Sequence, residues 1–201
     1  MVSTTEKNRF KFLGGESTWS QKKFESVTAS IAQEQDAICS NGAYTALAWK
    51  DTATVAVFPA YDFRRFDKNI QLIKGHTGNI TDCAFSPFMD NLLATTAEDG
   101  LAKLWVIPEG GITEHVKEAD AELRGHTKKV VACQWHRTAE NTLATHGADG
   151  TVRIWDVENS ANTMTYDGLP QIATAMKWNP KGDRLGVIIK GGNMYSYDPR
   201  T

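Results

Sequence analysis

The chain has 201 residues, 41% hydrophobic and 23% charged side chains and a net charge of −2, the composition of a globular protein with at least one sizeable core. The near-neutral balance excludes a global attraction to nucleic acid or to an acidic membrane surface. No apolar run approaches the roughly 18–20 residues of a spanning helix, and the opening MVSTTEKNRF lacks the apolar stretch of a secretory signal, so the cytoplasm is the expected compartment. Three cysteines without a CxxC spacing argue against a disulfide framework and a zinc site, and no cofactor is expected.

Taken in chain order, residues 1–23 form a basic segment in which RFKF is a short strand candidate of alternating basic and aromatic residues. Residues 24–68 hold two strand candidates, AICSNGAYTALAWK and ATVAVFPAYD. Residues 69–118 and 119–165 then repeat one another fifty positions apart without a gap. Gly75 falls on Gly125, His76 on His126, Asp99 on Asp149, Gly100 on Gly150 and Trp105 on Trp155. Each copy parses into three strands with no helical periodicity: ITDCAFS, LLATTAE and LAKLWVI, then KVVACQW, TLATHGA and TVRIWDV. Asp-Gly between the last two strands of each copy is a strong hairpin signal, because glycine accepts the positive φ of the tight turn. Residues 166–201 give a degenerate further unit. It aligns Trp178 with Trp135 and Tyr197-Asp198 with Trp155-Asp156, and Gly-Gly replaces Asp-Gly.

A repeat of this length that opens on Gly-His and closes on Trp or Trp-Asp is the signature of a WD40 propeller blade. The fold expected is all-β, with about four blades of a larger, seven-bladed type of propeller. Half a ring leaves strand edges unpaired, so either a longer protein or pairing with a second half-propeller is expected to close it. Cys83 and Cys133 occupy equivalent positions, two residues before Phe85 and Trp135, and read as small apolar fillers of the interior.

Each clear repeat also holds a His, a Thr and an Asp: His76, Thr95 and Asp99, then His126, Thr145 and Asp149. Out of context these suggest a hydrolase triad. An enzyme needs one such site, whereas here the set recurs once per repeat, together with Trp105 or Trp155. The expectation is a structural network in which His bridges the turn Asp and the strand hydroxyl while the indole completes the chain. No Gly-x-Ser-x-Gly elbow, phosphate-cradling loop or HExxH motif is present, so no enzymatic activity is expected.

KNIQLIKGHTGNITDCAFSPFMDNLLATTAEDGLAKLWVIPEGGIT resembles the second blade of the coronin family, down to its ending Trp105, Ile107, Pro108, Glu109 and Gly111. AELRGHTKKVVACQWHRTAENTLATHGADGTVRIWDV is similar to the third, Tyr-Asp-Pro-Arg (197–200) to the close of the fourth, and RFKFLGGE to the opening motif. The resemblance covers roughly residues 9–200 and is most specific over 69–160. It implies a seven-bladed propeller of which this chain matches the first four blades. It also implies actin-filament binding, with modulation of the actin-related-protein nucleation complex and of cofilin-driven turnover. The family's basal extension and coiled coil have no match here, so oligomerisation and nucleation contacts are not carried over. Where coronins commonly carry an exposed Arg in the first blade, the corresponding segment 24–30 has Thr28.

An acidic filament calls for exposed cations. The candidate partner-binding clusters are Lys7, Arg9 and Lys11; Lys22 and Lys23; Arg64, Arg65 and Lys68; and Lys128 and Lys129. For any one cluster the alternative is a merely solvated face. In a coronin, RFKF would also serve as the outermost strand of the last blade. The alternative function is a WD40 interaction scaffold with a partner other than actin.

Overall fold

The computed structural model describes residues 25–27, 38–50, 53–62, 65–66 and 70–200. They form fifteen strands in four antiparallel sheets. The first sheet contains β1 (Ile38–Ser40), β2 (Tyr44–Ala48), β3 (Val55–Pro59) and β4 (Leu72–Ile73) in that spatial order. The second contains β5 (Ile80–Phe85), β6 (Leu92–Ala97), β7 (Leu101–Val106) and β8 (Ala121–Arg124). The third contains β9 (Val130–Trp135), β10 (Thr142–Gly147), β11 (Val152–Asp156) and β12 (Ala161–Tyr166). The fourth has three strands, β13 (Ala173–Trp178), β14 (Leu185–Ile189) and β15 (Met194–Tyr197). Each sheet is a meander, and the first strands of successive sheets lie against one another. This is the all-β propeller arrangement, with four blades. The segment 1–23 lies outside the described residues.

The sheets are offset from the fifty-residue units by one strand. Leu72–Ile73 lies within the 69–118 unit yet pairs with β3, and Ala121–Arg124 lies within the 119–165 unit yet pairs with β7. The approach to each Gly-His thus closes the preceding sheet. The second and third sheets bury both faces. Trp105 packs with Ile80, Cys83 and Leu93 against Tyr44, Val55, Val57 and Ile73 of the first sheet. Trp155 and Leu143 meet Leu104 and Leu123 of the second sheet, and Ala144 and Ile154 meet Met176, Leu185 and Val187 of the fourth.

Local chemistry sets the turns. Gly100 and Gly150 sit at φ 81° and 78° in the Asp-Gly hairpins, where a β-carbon would be strained. At the other end of the sheets, the residue just after each first strand accepts hydrogen bonds from the turn that follows. Asn41 Oδ1 accepts the Ala43 and Tyr44 N–H groups, Ser86 Oγ those of Phe88 and Met89, His136 Nδ1 those of Thr138 and Ala139, and Asn179 Oδ1 that of Arg184. The cap is thus placed at the same point in every sheet by four side chains that share only an acceptor atom.

Candidate partner-binding surface and its buried polar supports

The described residues place the two His-Thr-Asp-Trp sets in nearly identical networks. In the second sheet, His76 Nδ1 lies 2.9 Å from Asp99 Oδ2 and its Nε2 lies 2.8 Å from Thr95 Oγ1, to which the Trp105 indole also donates at 2.8 Å. In the third sheet, His126 Nδ1 is 3.0 Å from Asp149 Oδ2, its Nε2 is 2.8 Å from Thr145 Oγ1, and Trp155 donates to that oxygen at 2.8 Å. Proton positions follow from the chemistry of the groups. An ionised carboxylate can only accept, so a neutral ring carries its proton on Nδ1, and the threonine hydroxyl, accepting from the indole N–H, gives its own hydrogen to His Nε2. Nε2 is then the acceptor, and the ring's proton stands on Nδ1, aimed at the carboxylate.

The carboxylates do more than hold histidine. Asp99 accepts the Thr77 and Leu101 N–H groups at 3.1 Å each, and Asp149 accepts those of Thr127 and Thr151 at 3.0 and 3.1 Å. Each therefore joins the loop leading into its sheet to the hairpin of the same sheet. Burial would raise the Asp99 pKa, but the hydrogen bond from His76 and those from the two backbone N–H groups outweigh it and hold the group at about 2. The same balance lowers Asp149. Burial pushes His126 below the ordinary imidazole value against the pull of Asp149, which keeps the ring neutral at pH 7.

The Thr-His-Asp spacing is that of a nucleophile, a base and an orienting acid. Its accessibility is not. Thr95 and Thr145 are 0% exposed, each under a tryptophan that is 1% exposed, so no acyl carbon can approach either hydroxyl. What this arrangement can do is fix the loops above it.

Lys128 and Lys129 stand on the loop so fixed, immediately after Thr127. Lys128 is exposed and Lys129 half-buried. The Lys129 carbonyl accepts the Ala148 N–H at 2.9 Å, and a β-carbon on Gly100 would come within 3.2 Å of the Lys128 carbonyl. The loop therefore rests on the hairpins of two adjacent sheets. Arg65 is exposed elsewhere, in the connection between β3 and β4, where its Nε donates to Ser26 Oγ at 3.3 Å. Arg9, Lys11, Lys22, Lys23 and Arg64 lie outside the described residues, as do Lys7, Lys68 and Thr28. Cys83 and Cys133 are buried in the cores on either side of the second sheet.

Two arrangements carry no mark in the repeat pattern. The Asp82 carboxylate accepts the N–H of Cys83 at 2.8 Å and that of Cys133 at 3.0 Å, tying β5 to β9. Alanine holds the corresponding place in the next copy, so the alignment of copies gives no sign of it. His146 replaces the position of Thr96, which bonds Thr81 at 2.9 Å. His146 is 0% exposed, and neither ring nitrogen finds a partner among the described residues. Among the described residues, no group of three or more His, Cys, Asp or Glu is arranged to hold a metal ion, and no helix is long and apolar enough to cross a membrane.

Comparison with known proteins places these features in a family. The WD domain, G-beta repeat family matches residues 67–106 and 118–156. Coronin-A of Dictyostelium discoideum is 42% identical over 177 residues, which cover 87% of this chain and 39% of that protein. Coronin-2B of Homo sapiens is 39% identical over 67 residues, covering 33% of this chain and 14% of that protein. The crystal structure of the WD40 domain from Toxoplasma gondii coronin superposes with a TM-score of 0.84 at 31% identity, over 90% of this chain and 47% of that one. The C-terminal WD40 domain of Sif2 shares the fold, with a TM-score of 0.62 at 17% identity. The chain spans well under half the length of these curated relatives.

Proposed function

The chain belongs to the coronin family of WD40 propeller proteins, and from that premise we propose that it binds actin filaments through its propeller surface as a non-enzymatic cytoskeletal scaffold in the cytoplasm. Membership of the family is the observation that carries this reading. The cationic loop, with Lys128 exposed and Lys129 half-buried beside it, supports this reading, since an acidic filament is met by accessible ammonium groups. The loop's support by two hairpins means that little order has to be created on binding. The non-enzymatic part of the reading rests on the enclosure of both threonine hydroxyls and on the repetition of the set.

Co-sedimentation with actin filaments at low and at high salt tests the proposal. Pelleting should be strong at low ionic strength and fall as salt shortens the screening length from about 10 Å at 0.1 M toward about 3 Å at 1 M. Lys128→Glu combined with Lys129→Glu should weaken pelleting several-fold while leaving the circular dichroism spectrum unchanged. Absence of pelleting at low salt would leave a scaffold with a different partner. Pelleting unchanged in the double variant would clear this loop of the role.

A further inference from the structure

Every cysteine of the chain opens on one place. Cys39 stands on β1, Cys83 on β5 and Cys133 on β9, the first strands of three successive sheets. All three line a single pocket of about 360 Å³ whose wall includes Ser40 and Asp82. They are not equivalent there. Cys83 and Cys133 are buried, whereas Cys39 is half-exposed at the rim. Cys39 packs against the core that contains Cys83 and lines the same pocket beside it. Cys133 belongs to the next core, across the Asp82 carboxylate that binds the backbone of both residues.

We infer that Cys39 and Cys83 form an oxidisable thiol pair, which a hydroperoxide converts into a disulfide joining the first sheet to the second. Cys39, the sulfur within reach of solvent, takes the first step. Its sulfur attacks the peroxide, an S–O bond forms, the O–O bond breaks and one water (or alcohol) leaves. The Cys83 sulfur then displaces hydroxide from the Cys39 sulfenic acid. The S–S bond forms as the S–O bond breaks, and the Cys83 proton leaves with the hydroxide as water. Two thiols are oxidised and one peroxide is reduced. The neighbouring Cys39, then burial, then the nearby Asp82 charge hold the Cys83 proton in place. Cys83, enclosed in the core as well as protonated, does not meet the oxidant, and it reacts with the sulfenic acid beside it as its proton passes to the departing hydroxide. Burial likewise keeps Cys133 protonated, and it lies in a different core from the pair.

The chain lends itself to a direct test, because trypsin places the three cysteines in separate peptides, 24–50, 75–103 and 130–137. The full chain is treated with graded hydrogen peroxide, denatured with an alkylating maleimide and digested without reduction. The expected result is a cross-linked 24–50/75–103 peptide that grows with peroxide and disappears with dithiothreitol, while 130–137 is recovered alkylated. Cys39→Ser should abolish the cross-link and Cys133→Ser should leave it intact, so the outcome does not depend on a variant at the buried Cys83. Cross-linking of 130–137 in preference to 75–103 would overturn the pairing. So would over-oxidation of Cys39 with Cys83 still free, or an unoxidised pair at peroxide levels that consume free glutathione.

Discussion

The hydroxyl of Thr145 serves two neighbours at once, accepting from Trp155 and donating to His126. Thr145→Val keeps the shape and removes both bonds, leaving an indole N–H and an imidazole nitrogen buried without partners. At about 1–3 kcal/mol for each orphaned group, urea denaturation should show a loss of several kcal/mol; a loss below about 1 kcal/mol would mean the network holds little. Asp99 makes a prediction on the pH axis. Its folded pKa of about 2 lies below the ordinary 3.8, so its contribution is complete above that ordinary value and is lost as pH falls toward 2. Asp99→Asn should flatten the stability profile in that window. His146 acts in a higher one. The unfolded chain protonates this ring near 6.5 and the folded chain only near 4, because burial, and then the neighbouring His126, penalise the charge. Stability therefore falls as pH drops through that interval, and His146→Leu should raise the denaturation midpoint at pH 5 relative to the parent. An unchanged slope would show that His146 is not the group responsible. The contrast between these residues explains what was legible. Asp99 and Asp149 are readable because two copies carry the same side chain for the same purpose. His146 is not, because Thr96 in its place uses a different bond to a different partner.

At the scale of the element, three strands of each clear repeat announce themselves as runs of β-formers bounded by turn residues. The fourth strands do not. Leu72–Ile73 is too short to show a pattern, and ANTMTY in β12 is mostly polar and exposed, with no alternation to read. The turn caps escape for a related reason. Asn41, Ser86, His136 and Asn179 are interchangeable as acceptors but share no identity that an alignment of copies would register. His136 adds a second bond. With Nδ1 accepting two backbone N–H groups its proton stands on Nε2, which donates to the Gly182 carbonyl at 2.8 Å and so fastens the third sheet to a turn of the fourth. The Asp-Gly hairpin, by contrast, is plain in sequence and exacting in space. Gly100 combines φ 81° with the Lys128 and His126 carbonyls at 3.2 and 3.5 Å from where a β-carbon would stand. Gly100→Ala should cost about 1–3 kcal/mol, measured by thermal or chemical denaturation. A neutral effect would show that the hairpin and the loop above it can shift together.

In the whole molecule, sheets are held to sheets by apolar cores and by a few polar staples between their first strands. The Trp135 and Trp178 indoles donate to the Ala84 and Gln134 carbonyls of the preceding sheet at 3.0 and 3.4 Å, and Asp82 spans the second and third sheets. Asp82→Ala would strip two buried N–H groups of their acceptor at once, a loss of about 2–6 kcal/mol at 1–3 for each. It should lower the unfolding temperature, and a variant as stable as the parent would mean that other groups take over both N–H donors. The one-strand displacement between repeat and sheet has a further consequence. A sheet is assembled from two neighbouring copies, so the length of chain that is duplicated is not the length that packs as a layer. Inserting one more fifty-residue copy in register lends a strand to the copy before it and borrows one from the copy after it, leaving every sheet complete. Growth by copying and integrity of folding are thereby reconciled: the coding unit can be multiplied without any intermediate in which a blade is cut.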